Sequence, residues 1–419
     1  MGRGRTAVRG TAIALCAAAA LTVSACGGHS SRAAGPSDPP SAFGPGQVVG
    51  PAPALSQGES ATRYRLPAVL DQGTAYLAGV DGVRVVDTAS GRTMETIRAQ
   101  HPLLTTEGSA ANLTHPPLVT TAGDARAVVW PFLVKAPGGG NAVELTSIHT
   151  DTHTATNVLI GLPQWASSAE YNLSVTPIGA AGTTVVLDVA GGLHHAALTT
   201  DAGTGEPLWM RDDFTADAVT DGTVVGAQPD AAPANTEHVV GLALKDGTQR
   251  WTQLHGFGFG ISSASPSLVA VEGTLPTATS GGTFQLLAAA TGTSVATLPI
   301  SNGLPSRCVY DQTSVTVCYA PTDNHAGARV VVAVDAKTGQ QLWSMPNGTN
   351  GTEPVPLVTD AWHGLVYATT TEGLTMVYRA RSGSPVRASA GPTPVLVNDQ
   401  AGLALDPNGP NIVAQRPID

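Results

Sequence analysis

One phrase recurs along this chain: an apolar strand, an Asp-Gly, Thr-Gly or Ser-Gly turn, a few polar residues, then a large hydrophobic residue. Its clearest copy is VVVAVDAKTGQQLW at Val330 to Trp343. Echoes are LTTDAGTGEPLW at Leu198 to Trp209, VVGLALKDGTQRW at Val239 to Trp251 and FQLLAAATGTSVATL at Phe284 to Leu298. Weaker copies read VRVVDTASGRTMETI from Val83 to Ile97 and LTMVYRARSGSPV from Leu374 to Val386. Repetition at this scale decides architecture before any single residue is interpreted.

Within a copy, apolar and polar side chains alternate over five or six positions, which is the period of a strand. The glycine that follows can take positive φ, so the chain can reverse into an antiparallel neighbour. The turn glycines are Gly91, Gly205, Gly247, Gly292, Gly339 and Gly383, and the last four intervals run from 42 to 47 residues. The long gap between Gly91 and Gly205 has room for one degenerate copy, SIHTDTHTATNVL at Ser147 to Leu159.

A unit of about 40 to 50 residues with four short strands is the size of a propeller blade. The chain is therefore expected to be all-β, a β-propeller of four-stranded antiparallel blades. The tail Thr393 to Pro417 holds about three strands. Thr62 to Pro67, TRYRLP, is expected to supply the fourth, giving eight blades with the last closed by both ends of the domain; seven is the alternative.

The string AVDAKTGQQLW resembles the repeat of the quinoprotein-type, pyrroloquinoline-quinone-like propellers, in which a strand ends in D-A-x-T-G and Trp follows four residues after the Gly. The resemblance covers roughly Arg63 to Asp419. It implies that Trp209, Trp251 and Trp343 pack between neighbouring blades. The dehydrogenases of that group carry an adjacent-cysteine disulfide, a Ca²⁺ site and a catalytic Asp. This chain has no adjacent cysteine pair and no residue matching the other two, so no catalytic residue, cofactor or metal ligand is assigned.

The first 25 residues place Arg3, Arg5 and Arg9 ahead of an apolar run from Thr11 to Val23, which is too short to span a bilayer and has the flanks of a signal peptide. The run ends in Val23-Ser24-Ala25-Cys26, which resembles a bacterial lipobox, so cleavage before Cys26 and acylation of that residue are expected. Residues 26–60 are rich in Gly, Ser, Pro and Ala and are expected to form a disordered tether. By random-coil scaling ~34 residues reach roughly 30 to 35 Å. The domain from 61 to 419 would then stand off the extracytoplasmic face of a bacterial membrane.

The formal charge of −10 disfavours nucleic acid as a partner. Cys308 and Cys318 bracket a hairpin-like stretch and are expected to form a disulfide in an oxidising compartment. Histidines four apart, His149 and His153, would lie about 13 Å from each other along a strand, and adjacent His194 and His195 would point to opposite faces, so neither pair reads as a metal site. Asp212, Asp213 and Asp217 lack calcium-loop spacing and read as solvated turn residues. The Asn-x-Ser/Thr triplets at Asn112, Asn172, Asn347 and Asn350 read as polar loops.

The run LHGFGFGISS, Leu254 to Ser263, puts His255, Phe257 and Phe259 on a glycine-rich, flexible connection between blades and is the candidate for partner contact, the favoured alternative being that both phenylalanines tuck into the blade interface. The leading expectation is a monomeric, non-catalytic, lipid-anchored scaffold that binds another envelope protein or a peptide. It resembles the outer-membrane-assembly lipoproteins, which are lipoboxed eight-bladed propellers of this repeat. The alternatives are a small-molecule-binding or sensor propeller with its ligand in the central channel and, further off, a quinone-dependent dehydrogenase.

Overall fold

The computed structural model describes residues 38–51, 66–104, 110–111, 115–168, 172–230, 236–276, 282–298, 307–321, 328–346 and 355–418. Strand pairing among them resolves into eight four-stranded antiparallel units. Blade 1 holds Ala68–Asp71, Thr74–Ala78, Val83–Asp87 and Thr93–Ile97; blade 2 runs from Leu118–Ala122 to Ala155–Gly161, and blade 3 from Leu173–Ala181 to Pro207–Asp212. Blade 6 runs from Arg307–Tyr310 to Gln341–Met345, and blade 7 from Leu357–Trp362 to Pro385–Ala390. First strands of successive blades touch one another from blade 2 through to blade 8, and those of blades 8 and 1 meet in turn.

Blades 4 and 5 share one strand. Gln249–Ser263 pairs through Gln249 to Gly256 with Glu237–Ala243 as the fourth strand of blade 4, then through Phe257 to Ser263 with Leu268–Thr274 as the first strand of blade 5. Gly258, at φ +60, and a register break between Phe257 and Gly260 mark the handover. The stretch expected to be a flexible connection is therefore a continuous strand. Its glycines serve the change of direction, and Ile261 and Phe259 anchor it in the core between the two blades.

The third-to-fourth strand turn is the same object in each copy. The N–H of Gly91, Gly205, Gly247, Gly292, Gly339 and Gly383 donates to the carbonyl four residues earlier at 2.8 to 2.9 Å, and all six have φ between +66 and +71. In blade 2 this place is taken by His153, at φ +58, whose N–H donates to the His149 carbonyl at 2.8 Å. The two histidines thus face each other across a tight turn rather than lying along one strand. Where the repeat has Asp, the carboxylate caps the turn: Asp335 Oδ1 accepts from Thr338 N and Thr338 Oγ1, each at 3.0 Å.

Both ends of the domain complete blade 8, but with a different strand from the one expected. Gln47–Pro51, inside the stretch read as tether, pairs with Asn411–Gln415 beside Gly402–Leu405 and Pro394–Val397. Ordered chain extends still further back, since Phe43 bridges to Pro417 and the Tyr367 hydroxyl donates to the Pro40 carbonyl at 2.7 Å. Of Thr62 to Pro67, only Leu66 and Pro67 are among the described residues. Leu66 is buried with Val49, Leu403 and Ile412 in the core between blades 8 and 1.

Apolar side chains pack mostly between blades, where facing sheets bury them from both sides. Trp130, Phe132, Leu145 and Leu187 belong to the core spanning blades 1 to 3, and Val317, Ala333, Leu357 and Val366 to the one between blades 6 and 7. Cys308 and Cys318 are opposite each other in the first hairpin of blade 6 and are joined by a disulfide. No helix among the described residues is long and apolar enough to cross a membrane.

Candidate interaction face

Antiparallel connectivity puts the glycine turns and the first-to-second strand turns of every blade on one face of the ring. The second-to-third strand turns and the links between blades fall on the other, here called the link face. The three repeat tryptophans hold the ring together from the turn side. Trp209 Nε1 donates to the Leu244 carbonyl at 2.8 Å, Trp251 Nε1 to Ala289 at 2.8 Å and Trp343 Nε1 to Ala380 at 2.7 Å, each acceptor lying in the next blade. Each indole lies against the turn glycine of that blade: a Cβ on Gly247, Gly292 or Gly383 would sit within 2.8 Å of it. Gly205 meets Val158 and Gly339 meets Val295 in the same way, which is where the repeat lacks its Trp.

The link face of blades 3 to 5 collects most of the polar and aromatic residues singled out by sequence. The link Gly161 to Leu173 between blades 2 and 3 carries a single helical turn, Gln164–Ser167. Its Trp165 ring stacks on His194 at a 5.3 Å centroid distance, and Trp165 Nε1 donates to Asp212 Oδ1 at 3.3 Å. Gly191 lets the indole lie close over the hairpin, since a Cβ there would come within 3.0 Å of it. At the tip of that hairpin Leu193 is 98% exposed. An exposed leucine beside a braced Trp is a contact feature rather than a packing one.

His195 points the other way, to Asp188 Oδ2 at 3.3 Å, while Asp188 Oδ1 accepts from Ala216 N of blade 4 at 3.1 Å. The hydrogen bond to Asp188 raises the His195 pKa, against the opposing pull of burial. Asp217 is the bulged residue between Ala216 and Ala218 on the first strand of blade 4. Asp217 is partly buried, and desolvation, with the like charges of Asp188 and Glu237 behind it, pushes its pKa well up. It is thus not the solvated turn residue expected from sequence, whereas Asp212 and Asp213 are exposed as expected.

Asp230 closes the second-to-third strand turn of blade 4. Its Oδ1 meets His238 Nδ1 at 2.7 Å and its Oδ2 lies 2.8 Å from His255 Nε2, a charge contact without the alignment of a hydrogen bond. The Thr236 hydroxyl first, and His238 second, hold the Asp230 carboxyl below its ordinary pKa. Glu237 Oε1 accepts from Phe259 N at 2.7 Å. Phe257 is left 40% exposed and Phe259 packs into the core between blades 4 and 5. Of the three residues proposed for partner contact, His255 and Phe257 are at the surface and Phe259 is structural.

Sequence reasoning passed over Trp165 and Leu193. The only signal was their setting: a Trp just after Gly-Leu-Pro in a link between blades, and a Leu inside the hairpin Gly-Gly-Leu-His. Among the described residues no three His, Cys, Asp or Glu side chains are grouped to hold a metal ion. Cys26 lies outside the described residues.

The strand pairing and repeated turn define an eight-bladed β-propeller. Solved structures similar to the chain are distant from it in sequence. The quinohemoprotein alcohol dehydrogenase from Comamonas testosteroni is 12% identical over 89% of this chain and 76% of its own, with a TM-score of 0.51. BamB from Moraxella catarrhalis is 15% identical over 84% of this chain and 99% of its own, with a TM-score of 0.42. The computationally designed Ika8 protein is 16% identical over 86% and 98%, with a TM-score of 0.48. No protein-family profile matches the chain, and no curated protein does.

Proposed function

We propose that this chain is a non-catalytic scaffold, held by lipid at Cys26 on the extracytoplasmic face of a bacterial membrane, whose link face on blades 3 to 5 binds another envelope protein. The observation that carries this reading is Leu193, 98% exposed at the end of a hairpin that Trp165 and His194 brace from the side. An exposed apolar group beside a carboxylate suits a polypeptide with apolar side chains next to Lys or Arg, and Asp212, which accepts from Trp165 Nε1, supplies that carboxylate.

A ligand in the central channel is the second reading, and one pairing counts against it. Ala110–Ala111 adds in parallel to Ser174 and Val175 on the inner edge of blade 3, which puts chain inside the ring at that mouth.

The test is cross-linking in intact cells, followed by affinity purification of the tagged protein and mass spectrometry. The scaffold reading expects a small, reproducible set of envelope proteins, lost in Cys26→Ala and in Leu193→Glu. Retention of the same set by Leu193→Glu and Trp165→Ala would remove this face from the proposal. Recovery of no specific partner by a folded, membrane-bound protein would overturn the scaffold itself.

A further inference from the structure

The residue after the repeat Trp is Thr252 in blade 4 and Ser344 in blade 6, but Met210 in blade 3. Met210 is 47% exposed, and Leu208, two residues before it, is 44% exposed. Among the described residues, no other fourth strand carries two large apolar side chains this open to solvent. From Leu208 to Asp212 exposure alternates, with Trp209 and Arg211 half-buried between, so Leu208, Met210 and Asp212 lie on one side of the strand. Met210 stands opposite Leu198, which belongs to the core shared with blade 2, whereas Trp209 packs into the core shared with blade 4. The row on the blade 2 side ends at Asp212, which accepts from Trp165 Nε1, and so runs into the interaction face.

Pro207–Asp212 is also the outer edge of its sheet, and among the described residues no strand lies beyond it. The Asp213 N–H donates to the His195 carbonyl at 2.9 Å, and bonded pairs alternate along an antiparallel ladder. Arg211 therefore bonds inward to Ala197, and the N–H and C=O groups of Met210 and Asp212 point away from the blade. An open row of backbone donors and acceptors is completed by another extended backbone. The side chains narrow what that backbone carries. Leu208 and Met210 gain from apolar side chains set opposite them, and Asp212, followed by Asp213, gains from a Lys or Arg. Arg211 lies on the other side of the strand, with Nη2 donating to Gln228 Oε1 at 3.1 Å.

We propose that the partner is held by strand addition: an extended segment of it pairs antiparallel with Pro207–Asp212 as a fifth strand of blade 3, with Lys or Arg beside Asp212 and apolar side chains beside Met210 and Leu208. The proposal rests on the scaffold reading for the partner's existence and adds how that partner is gripped. Backbone hydrogen bonds supply affinity, and the alternation of apolar residues behind a leading cation supplies selection. Thr252 and Ser344 break the apolar row at the same place on blades 4 and 6, so those edges do not select this pattern.

The experiment uses the full-length protein in detergent micelles and a fluorescein-labelled peptide, Lys-Thr-Leu-Thr-Val-Thr, read by anisotropy. Saturable binding is expected, weakening as salt rises. Methylating the peptide's leucine nitrogen keeps every side chain but blocks the bond to the edge, and should weaken binding about tenfold. Met210→Pro removes an outward N–H and no bond of the blade, so it should cost about as much with the circular dichroism unchanged. Met210→Thr, the residue of blade 4, should weaken binding by less, and Ser344→Pro, the corresponding change in blade 6, should leave it as it was. The proposal is overturned if the peptide does not saturate, if the methylated peptide binds as tightly, or if Met210→Pro binds like wild type. It is equally overturned if sedimentation shows a dimer that Met210→Pro dissolves, since a second copy then takes the edge, or if binding appears only after residues 27–37 are deleted, since the chain then covers its own edge. In the cellular cross-linking, partners lost in Leu193→Glu but kept in Met210→Pro remove strand addition and leave the scaffold standing. Absence of any partner removes the scaffold, while the peptide titration still judges the edge.

Discussion

Replacing Gly292 with alanine tests how the blades are locked together. Gly292 stands at φ +71, and a Cβ there would lie 2.6 Å from Trp251 Cδ2. Gly222, in the neighbouring turn of blade 4, stands at φ +64 with nothing within 4 Å of the same position. Both substitutions impose left-handed backbone on a residue with a Cβ, at about 1 to 2 kcal/mol. Only Gly292→Ala also displaces an indole that is 8% exposed and donates to Ala289 at 2.8 Å. Losing that hydrogen bond and part of the ring's burial adds about 2 to 3 kcal/mol. Urea unfolding of the two variants, followed by circular dichroism, should therefore separate them by that second amount at equal slope. In a Trp251→Ala background the cost of Gly292→Ala should fall most of the way to that of Gly222→Ala, because only the flexible Gln253 side chain, with Cγ 2.9 Å from the new Cβ, remains to be moved. Equal costs for the two glycines in the wild-type background would refute the lock.

Two groups with raised folded pKa values both make the fold less stable as pH rises, His195 by losing a favourable pairing and Asp217 by gaining an unfavourable charge. The folded pKa of His195 is raised by Asp188, so the stability it contributes is present in full below the unfolded value near 6.5 and is lost as pH rises through the folded value. The stability gap between wild type and His195→Asn should accordingly be wider at pH 5.5 than at pH 8.5, and a flat difference would refute the pairing. Asp217 also has a raised folded pKa, but its charged form is the unfavourable one: its carboxylate is progressively destabilising as pH rises above about 3.9. Asp217→Asn should raise the melting temperature at pH 8 and lose that advantage toward pH 4; no gain at pH 8 would refute the raised pKa.

What could be read in advance follows from how many independent signals each element carried. The third and fourth strands of most blades were legible because the strand period, the turn glycine and the Trp all agree, as at Val330 to Trp343. The closing strand was not: QVVGP has only two apolar residues, sits among glycines and prolines, and is specified by its partner Asn411–Gln415 rather than by itself. TRYRLP looked more like a strand because its alternation is local. LHGFGFGISS read as a loop from its glycines, although Phe257, Phe259 and Ile261 keep a period of two. Turn geometry at His149 and His153 was hidden because histidine replaces the glycine that marks it elsewhere. For the interaction face, Trp165, His194 and Asp212 come from three separate stretches and meet only once the links between blades are folded.

Gln47 pairs with Ala414, so the earliest strand of the domain to be synthesised completes the last blade. Seven blades can be laid down in chain order, each on its predecessor, while that first strand waits with its backbone groups unpaired. Contacts so distant in sequence carry the largest loop-closure entropy and form late. Assembly of the ring is therefore a long vectorial build followed by a single terminal event. Until that event occurs, the chain carries an open sheet edge at either end, the state in which such a protein is most exposed to mispairing with its neighbours.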